Sequence, residues 1–197
     1  MRKVFVIGRD ALPQEFILGA GESLEMSLVV LPGVSCAENL RVDLSAPGAS
    51  ADIRGLYLCS GDEKVSIDMD LRHSSGSCIS RQLFKGIVGG RARAAFNGRI
   101  LVVRDAQKTR AYQENHTILL SADALCESRP QLEIYADDVE CSHGATTGYL
   151  DPEALFYMRS RGIPEAEARR LQMISFLSPV LSRLPQALQD EILARLS

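Results

Sequence analysis

Cys141 and His143 are the two residues of this 197-residue chain whose types and spacing best suit joint chemistry. They sit in Asp137-Asp138-Val139-Glu140-Cys141-Ser142-His143-Gly144-Ala145-Thr146-Thr147-Gly148, which reads as a strand. Residues two apart on a strand face the same way, about 6.5–7 Å apart along the backbone. A thiol and an imidazole so placed can converge on one metal ion, or present two soft ligands to an assembling cluster. The same spacing also suits a buried thiol beside a hydrogen-bonded imidazole, and spacing alone does not choose. Asp137 and Asp138 are adjacent, so they point to opposite faces and do not act as an acid pair. No Ser/His/Asp order and no His-Glu-x-x-His helix occurs. Gly86-Ile87-Val88-Gly89-Gly90 lacks the Lys-Ser/Thr that completes a phosphate loop, so no nucleotide is expected in that manner.

The elements that must position these residues are strands over the first two-thirds of the chain. Val65, Ile67, Met69 and Leu71 alternate with polar residues, and His73 continues their parity as a strand-end or core histidine. Leu40, Val42 and Leu44 repeat the pattern, as do Ala51, Ile53, Gly55, Tyr57 and Cys59; around Cys78 to Phe84 it weakens. Turn-forming dipeptides separate the segments, and strand centres recur about every 12 residues, as in a sandwich, barrel or solenoid. Asn97-Gly98 is the one strong tight-hairpin signal. At Asp151 the grammar changes. Asp151, Pro152 and Glu153 form a helix start, and Gly162 a helix stop. A second helix follows Pro164, with Ala168, Leu171 and Ser175 beside Met173, Phe176, Leu177 and Val180 on its apolar face. Pro179 should kink or end it, and a third helix follows Pro185. A β body over 1–150 therefore carries a helical region over 151–197.

Hydrophobic content of 46% and charged content of 24% fit an ordinary soluble chain. The net charge of −3 gives no wholesale attraction to nucleic acid or anionic membrane, and no run is apolar enough to span a bilayer. Met1 to Arg9 is too short an apolar run for a secretion signal and reads as a strand. Cys36, Cys59, Cys78, Cys126 and Cys141 are odd in number and widely spaced, as expected of reduced thiols in a cytoplasmic protein. Residues 81–110 are basic apart from Asp105, and residues 123–153 are acidic apart from Arg129. These are either two solvated faces or a complementary pair of patches that orients a partner.

The Cys-Ser-His-Gly-Ala-Thr stretch, with Ala95-Phe96-Asn97-Gly98-Arg99, Ala106-Gln107-Lys108-Thr109, Leu119-Leu120-Ser121, Pro130-Gln131-Leu132-Glu133-Ile134 and Leu155-Phe156-Tyr157-Met158-Arg159-Ser160-Arg161-Gly162, closely resembles the SufB/SufD family, and its SufD branch in particular. The resemblance is dense over the last half of the chain and diffuse before it. It implies a right-handed parallel β-helix, two strands and about 24 residues per coil, followed by a small C-terminal α-helical region. It implies a non-catalytic scaffold subunit of iron–sulfur cluster assembly that pairs with a SufB-like chain and docks a SufC-type ABC ATPase. His143 is then the implied cluster ligand and Cys141 its less certain neighbour. Two ligands do not complete a cluster that takes four, so the cluster would be transient and shared at an inter-subunit interface, with no cofactor stably bound. Leu155, Phe156, Tyr157, Arg159 and Arg161 are the implied ATPase-binding residues, Leu155 and Met158 being equally suited to cap the β core. Family members are longer, so this chain is expected to begin inside the solenoid, as a fragment or a short natural form. It should then self-associate or pair through open strand edges. The alternatives are a β-solenoid carbohydrate-active enzyme and a purely structural homodimer.

Overall fold

In the computed structural model, which describes residues 1–196, the alternating segments become eleven strands and the last fifty residues three helices. Strands β1 (Arg2–Val6), β3 (Ser23–Val30), β5 (Ser50–Cys59), β7 (Ile79–Val88), β9 (Thr109–Leu119) and β11 (Val139–Gly148) form one sheet in that order. Strands β2 (Glu15–Leu18), β4 (Cys36–Leu44), β6 (Lys64–His73), β8 (Arg93–Val102) and β10 (Leu125–Ile134) form the other. Every neighbouring pair is parallel. Odd strands in one sheet and even strands in the other make a parallel β-solenoid with two strands per coil. The coil is longer than the spacing of turn signals suggests. Glu15 pairs with Arg41, Lys64 with Arg93 and Arg93 with Leu125, offsets of 26, 29 and 32 residues. Strands of up to 11 residues, with turns at both sides of the coil, account for the difference.

Inward parity explains most of the core. Leu24, Met26, Leu28, Val42, Leu44, Ile53, Ile67, Met69 and Leu71 are buried between the two sheets. Two aromatic residues lie inside because the facing strand removes a side chain. Gly55 pairs with Phe84 and Tyr57 with Gly86 across β5 and β7. A Cβ on Gly55 would stand 2.0 Å from the Phe84 ring, and one on Gly86 would stand 1.9 Å from the Tyr57 ring. Asn97-Gly98, expected as a hairpin, instead lies in the middle of β8, paired with Asp68 and Met69 on one side and Arg129 and Pro130 on the other. Gly98 faces inward, where a Cβ would stand 2.4 Å from Gln113 Nε2 and 2.7 Å from the Phe96 ring. The glycine is there for interior space, not for a turn.

The outer face of the odd-strand sheet is apolar in its first coils. Val29, Leu31, Leu56, Leu58 and Ile87 form a second core with the helices. Helix α1 (Pro152–Ser160) starts at Asp151, whose carboxylate accepts the Glu153 N–H at 2.9 Å, and ends before Gly162 at φ +87°. Helix α2 (Glu165–Leu181) buries Ala168, Met173, Leu177, Val180 and Leu181; Leu171 and Ser175, expected on that face, are exposed. Pro179 lies within its last turn, two residues before the end. Helix α3 (Gln186–Ala194) buries Ile192 and is tied to the start of the chain by Arg9, which donates to Glu191 at 2.8 and 2.5 Å.

The paired glycines give a direct test. Gly86→Ala should destabilise the chain by about 3 kcal/mol, because the new methyl cannot coexist with the Tyr57 ring. Gly144→Ala, with nothing within 4 Å of the new atom, should change stability by less than about 0.5 kcal/mol. Urea unfolding midpoints measure both, and equal effects would show that the interior packing is wrong.

Candidate functional site

The odd-strand sheet ends at β11, which pairs with β9 on one side only. Register fixes which of its residues face inward. Cys141 pairs with Ala111, His143 with Gln113 and Ala145 with Asn115, and Ala111, Gln113 and Asn115 are all buried. Cys141 and His143 therefore share the inward row, as their spacing predicts, but they occupy the terminal coil. The even-strand sheet ends one strand earlier, at β10, so the interior opens there. Cys141 is half-buried against the core and His143 is exposed. Burial pushes the Cys141 thiol up, although a backbone hydrogen bond at Ala111 opposes this. Of the two side chains, the imidazole is the more accessible.

The interior below this mouth is polar. Gln113 Nε2 donates to Gln82 Oε1 at 3.1 Å, and Asn115 Nδ2 donates to Ser128 Oγ at 2.9 Å. The buried Tyr57 hydroxyl donates to Asn115 Oδ1 at 3.2 Å and lies 2.6 Å from Thr117 Oγ1. His73 Nε2 lies 2.9 Å from Ser80 Oγ. Apart from Tyr57 on β5 and His73 on β6, these residues fill the inward rows of β7, β9 and β10. Gln82 Nε2, Gln113 Oε1, Thr109 Oγ1 and His73 Nδ1 are buried without a partner.

The α1 residues separate into two groups. Phe156 and Tyr157 are 74% and 61% exposed. Leu155 is half-buried against the second core, so it serves the fold. Arg159 pairs with Glu165 at 3.3 Å, and the Arg161 guanidinium lies 5.8 Å from the centre of the Tyr157 ring.

The basic and acidic stretches meet at two ion pairs. A residue one coil onward in sequence lies beside its predecessor in space, so a basic run followed by an acidic run stacks into ion pairs. Arg99 reaches Glu133 at 3.6 Å and Arg110 reaches Glu140 at 3.7 Å. A wider ladder, Glu15–Arg41–Asp70–Arg99–Glu133, crosses the outer face of the even-strand sheet. It lines an open trough of about 910 Å³ that also includes Asp68 and Asn97. Partial burial pushes the Asp70 acid up, but hydrogen bonds from Arg99 and Arg41 outweigh it and hold the carboxyl below its ordinary value. A glycosidase acid needs the opposite shift. The trough and His143 belong to different sheets.

One constellation was not read from the sequence. On the outer face of the odd-strand sheet, His116 Nδ1 lies 2.7 Å from Thr146 Oγ1 and His116 Nε2 lies 3.2 Å from Glu114 Oε2. Glu-x-His was visible as a same-face pair; Thr146 enters from the next coil, which the sequence does not announce. None of the three lines the trough.

The fold is thus a parallel two-sheet solenoid with an exposed imidazole on its last strand and a helical region packed on one sheet. Residues 14–176 match the SUF-system iron–sulfur cluster assembly SufBD core domain, and the chain belongs to that family. It is SufD-like: it is 38% identical to the iron–sulfur cluster assembly protein SufD of Escherichia coli over 168 residues, 85% of this chain and 40% of that protein. SufD of Bacillus subtilis is 32% identical over 168 residues, 85% and 38% of the two chains. A SufBD family protein of Synechocystis is 42% identical over 117 residues, 59% of this chain and 25% of that one. The chain thus spans well under half the length of these relatives.

The polar interior carries its own pH signature. His73 is fully buried, and burial lowers its pKa from 6.5 to about 4. The unfolded chain therefore takes up this proton before the folded one does. The stabilisation is complete above pH 6.5 and is lost as pH falls towards 4, up to about 3 kcal/mol. Urea unfolding of the natural chain should lose about that much more between pH 7 and pH 4 than His73→Gln does. Equal losses would contradict the burial of a neutral ring.

Proposed function

We propose that this chain is a non-catalytic, SufD-like subunit in cytoplasmic iron–sulfur cluster assembly. It pairs with a SufB-like chain at the β10–β11 end and docks a SufC-type ATPase through α1. The observation that carries this reading is the placement of His143: inward by register, yet exposed because its own strand, β11, is the last of the solenoid. A second chain laid across that mouth would enclose the imidazole without any rearrangement of this one.

The nascent cluster is cargo here. Among the described residues no group of three or more His, Cys, Asp or Glu side chains is gathered closely enough to hold a metal. His143 would supply one nitrogen ligand, with the remaining positions coming from sulfide and the partner chain. Cys141 is half-buried against the core, where burial raises its pKa, and is the less accessible neighbour. Free strand edges at β10 and β11 offer backbone donors and acceptors to a partner strand. Phe156 and Tyr157 offer exposed aromatic anchors on a helix fixed by its caps and by Leu155. The five cysteines are free thiols and no helix is long and apolar enough to cross a membrane. The carbohydrate-enzyme alternative is disfavoured by the ion-paired acids of the trough, and a purely structural homodimer leaves the exposed inward imidazole unused.

Reconstitution with SufB-like and SufC-type partners tests the two surfaces separately. His143→Ala should fold and bind both partners yet fail to support cluster formation, read from visible absorbance and iron content. Phe156→Ala should weaken ATPase binding by about 2 kcal/mol, roughly 30-fold, in a titration. Normal cluster yield in the first case would refute the ligand role. Unchanged affinity in the second would move the ATPase contact elsewhere.

A further inference from the structure

We infer that Gln113 is the positioning residue for the His143 imidazole, and that Gly98 is the cut-out that admits it. This rests on the cluster-ligand reading above and deepens it. Gln82, Gln113 and His143 are register partners on β7, β9 and β11, so they form one inward column with a polar side chain on each rung. Gln113 is 1% exposed. Its amide nitrogen is committed to Gln82 Oε1, on the rung below, at 3.1 Å. Its amide oxygen has no partner. A buried carbonyl oxygen left without a donor is costly, and the rung above it holds His143, one strand spacing (about 4.8 Å) away.

The interior is shaped for this amide. Opposite it stands Gly98, where a methyl group would lie 2.4 Å from Gln113 Nε2 and 2.7 Å from Gln113 Cδ. Any other residue at position 98 would displace the amide. The column thus holds an unpartnered acceptor, its amide nitrogen tied to Gln82, on the rung next to His143.

An imidazole N–H is the donor that suits this oxygen. When one ring nitrogen donates inward to Gln113 Oε1, it carries the proton and the tautomer is set. The other nitrogen, across the ring, is left with its lone pair facing out of the mouth. That nitrogen is the one a metal could use. The present ring makes no hydrogen bond among the described residues, so the inward bond requires only a side-chain rotation. Gln113 never touches cargo; it acts through His143.

The test is the tautomeric state of His143 in the free chain, read from long-range proton–nitrogen correlation spectra of the chain labelled with nitrogen-15 in histidine. There are three histidines, and His143→Gln assigns the signal. At alkaline pH the two ring nitrogens should appear as one protonated and one unprotonated type. In Gln113→Met their shifts should move together towards the mixed values of free imidazole. Gln113→Glu, which keeps an acceptor oxygen, should restore the split. If Gln113→Met is unstable, Gln82→Met/Gln113→Met removes both amides and leaves neither orphaned. A split that persists unchanged in the methionine variants overturns the inference. Cluster yield separates the two ideas. Lost yield in His143→Ala with an unmoved tautomer in Gln113→Met sinks the positioning role alone. Full yield in His143→Ala with a tautomer that collapses in Gln113→Met sinks the ligand role alone.

Discussion

Stacking of one coil on the next is the constraint from which everything else follows. Each strand hydrogen-bonds to the strand one coil away, so residues separated by 23 to 32 positions become neighbours. That single periodicity builds the inward columns, the outward ion-pair ladder and the aromatic–glycine pairs. It also decides where the solenoid is open. Interior columns are sealed wherever a further rung lies above them and exposed where the last rung is reached. His143 is on that last rung, and its exposure is a consequence of topology rather than of any local irregularity.

The change in the interior along the solenoid supports a functional end and a structural end. In the early coils the inward rows are aliphatic, with Leu24, Met26, Leu44, Ile53 and Met69. From β7 onward they take Ser80, Gln82, Gln113, Asn115 and Thr117, each buried. Polar groups in a core cost stability unless paired, and two of these, Gln82 and Gln113, retain an orphan atom. A chain selected for stability alone has no use for them. The helices fasten the opposite flank, through Met173, Leu177 and Ile192 against the outer face of the early odd strands. The strands β10 and β11 at the other end are edge strands.

Much of this was legible in the sequence, and the gaps have physical causes. Val65 to Leu71 displayed the alternation openly because its inward residues are apolar. Asp151-Pro152 and Gly162 announced α1 because capping is local chemistry. The solenoid itself came from the family resemblance, since a coil repeat with no repeated residues leaves no trace in pattern. Gln82 and Gln113 were invisible as core because a buried amide looks like a surface one until its column is known. Asn97-Gly98 was misread for the same reason: its glycine answers Gln113, a residue 15 positions on in the opposing sheet. The two charge runs read either as solvated faces or as a partner-orienting pair; the ion pairs Arg99–Glu133 and Arg110–Glu140 were not legible because the coil offset was unknown.

The central claim is that His143 stands open at the mouth of the solenoid and is covered by a second chain. Carbethoxylation of histidines by diethyl pyrocarbonate, quantified by mass spectrometry with and without a SufB-like partner, tests it most directly. The free chain should be modified readily at His143 and hardly at all at the buried His73, and the partner should protect His143. A His143 as inert as His73 in the free chain, or one equally reactive in the complex, would contradict it.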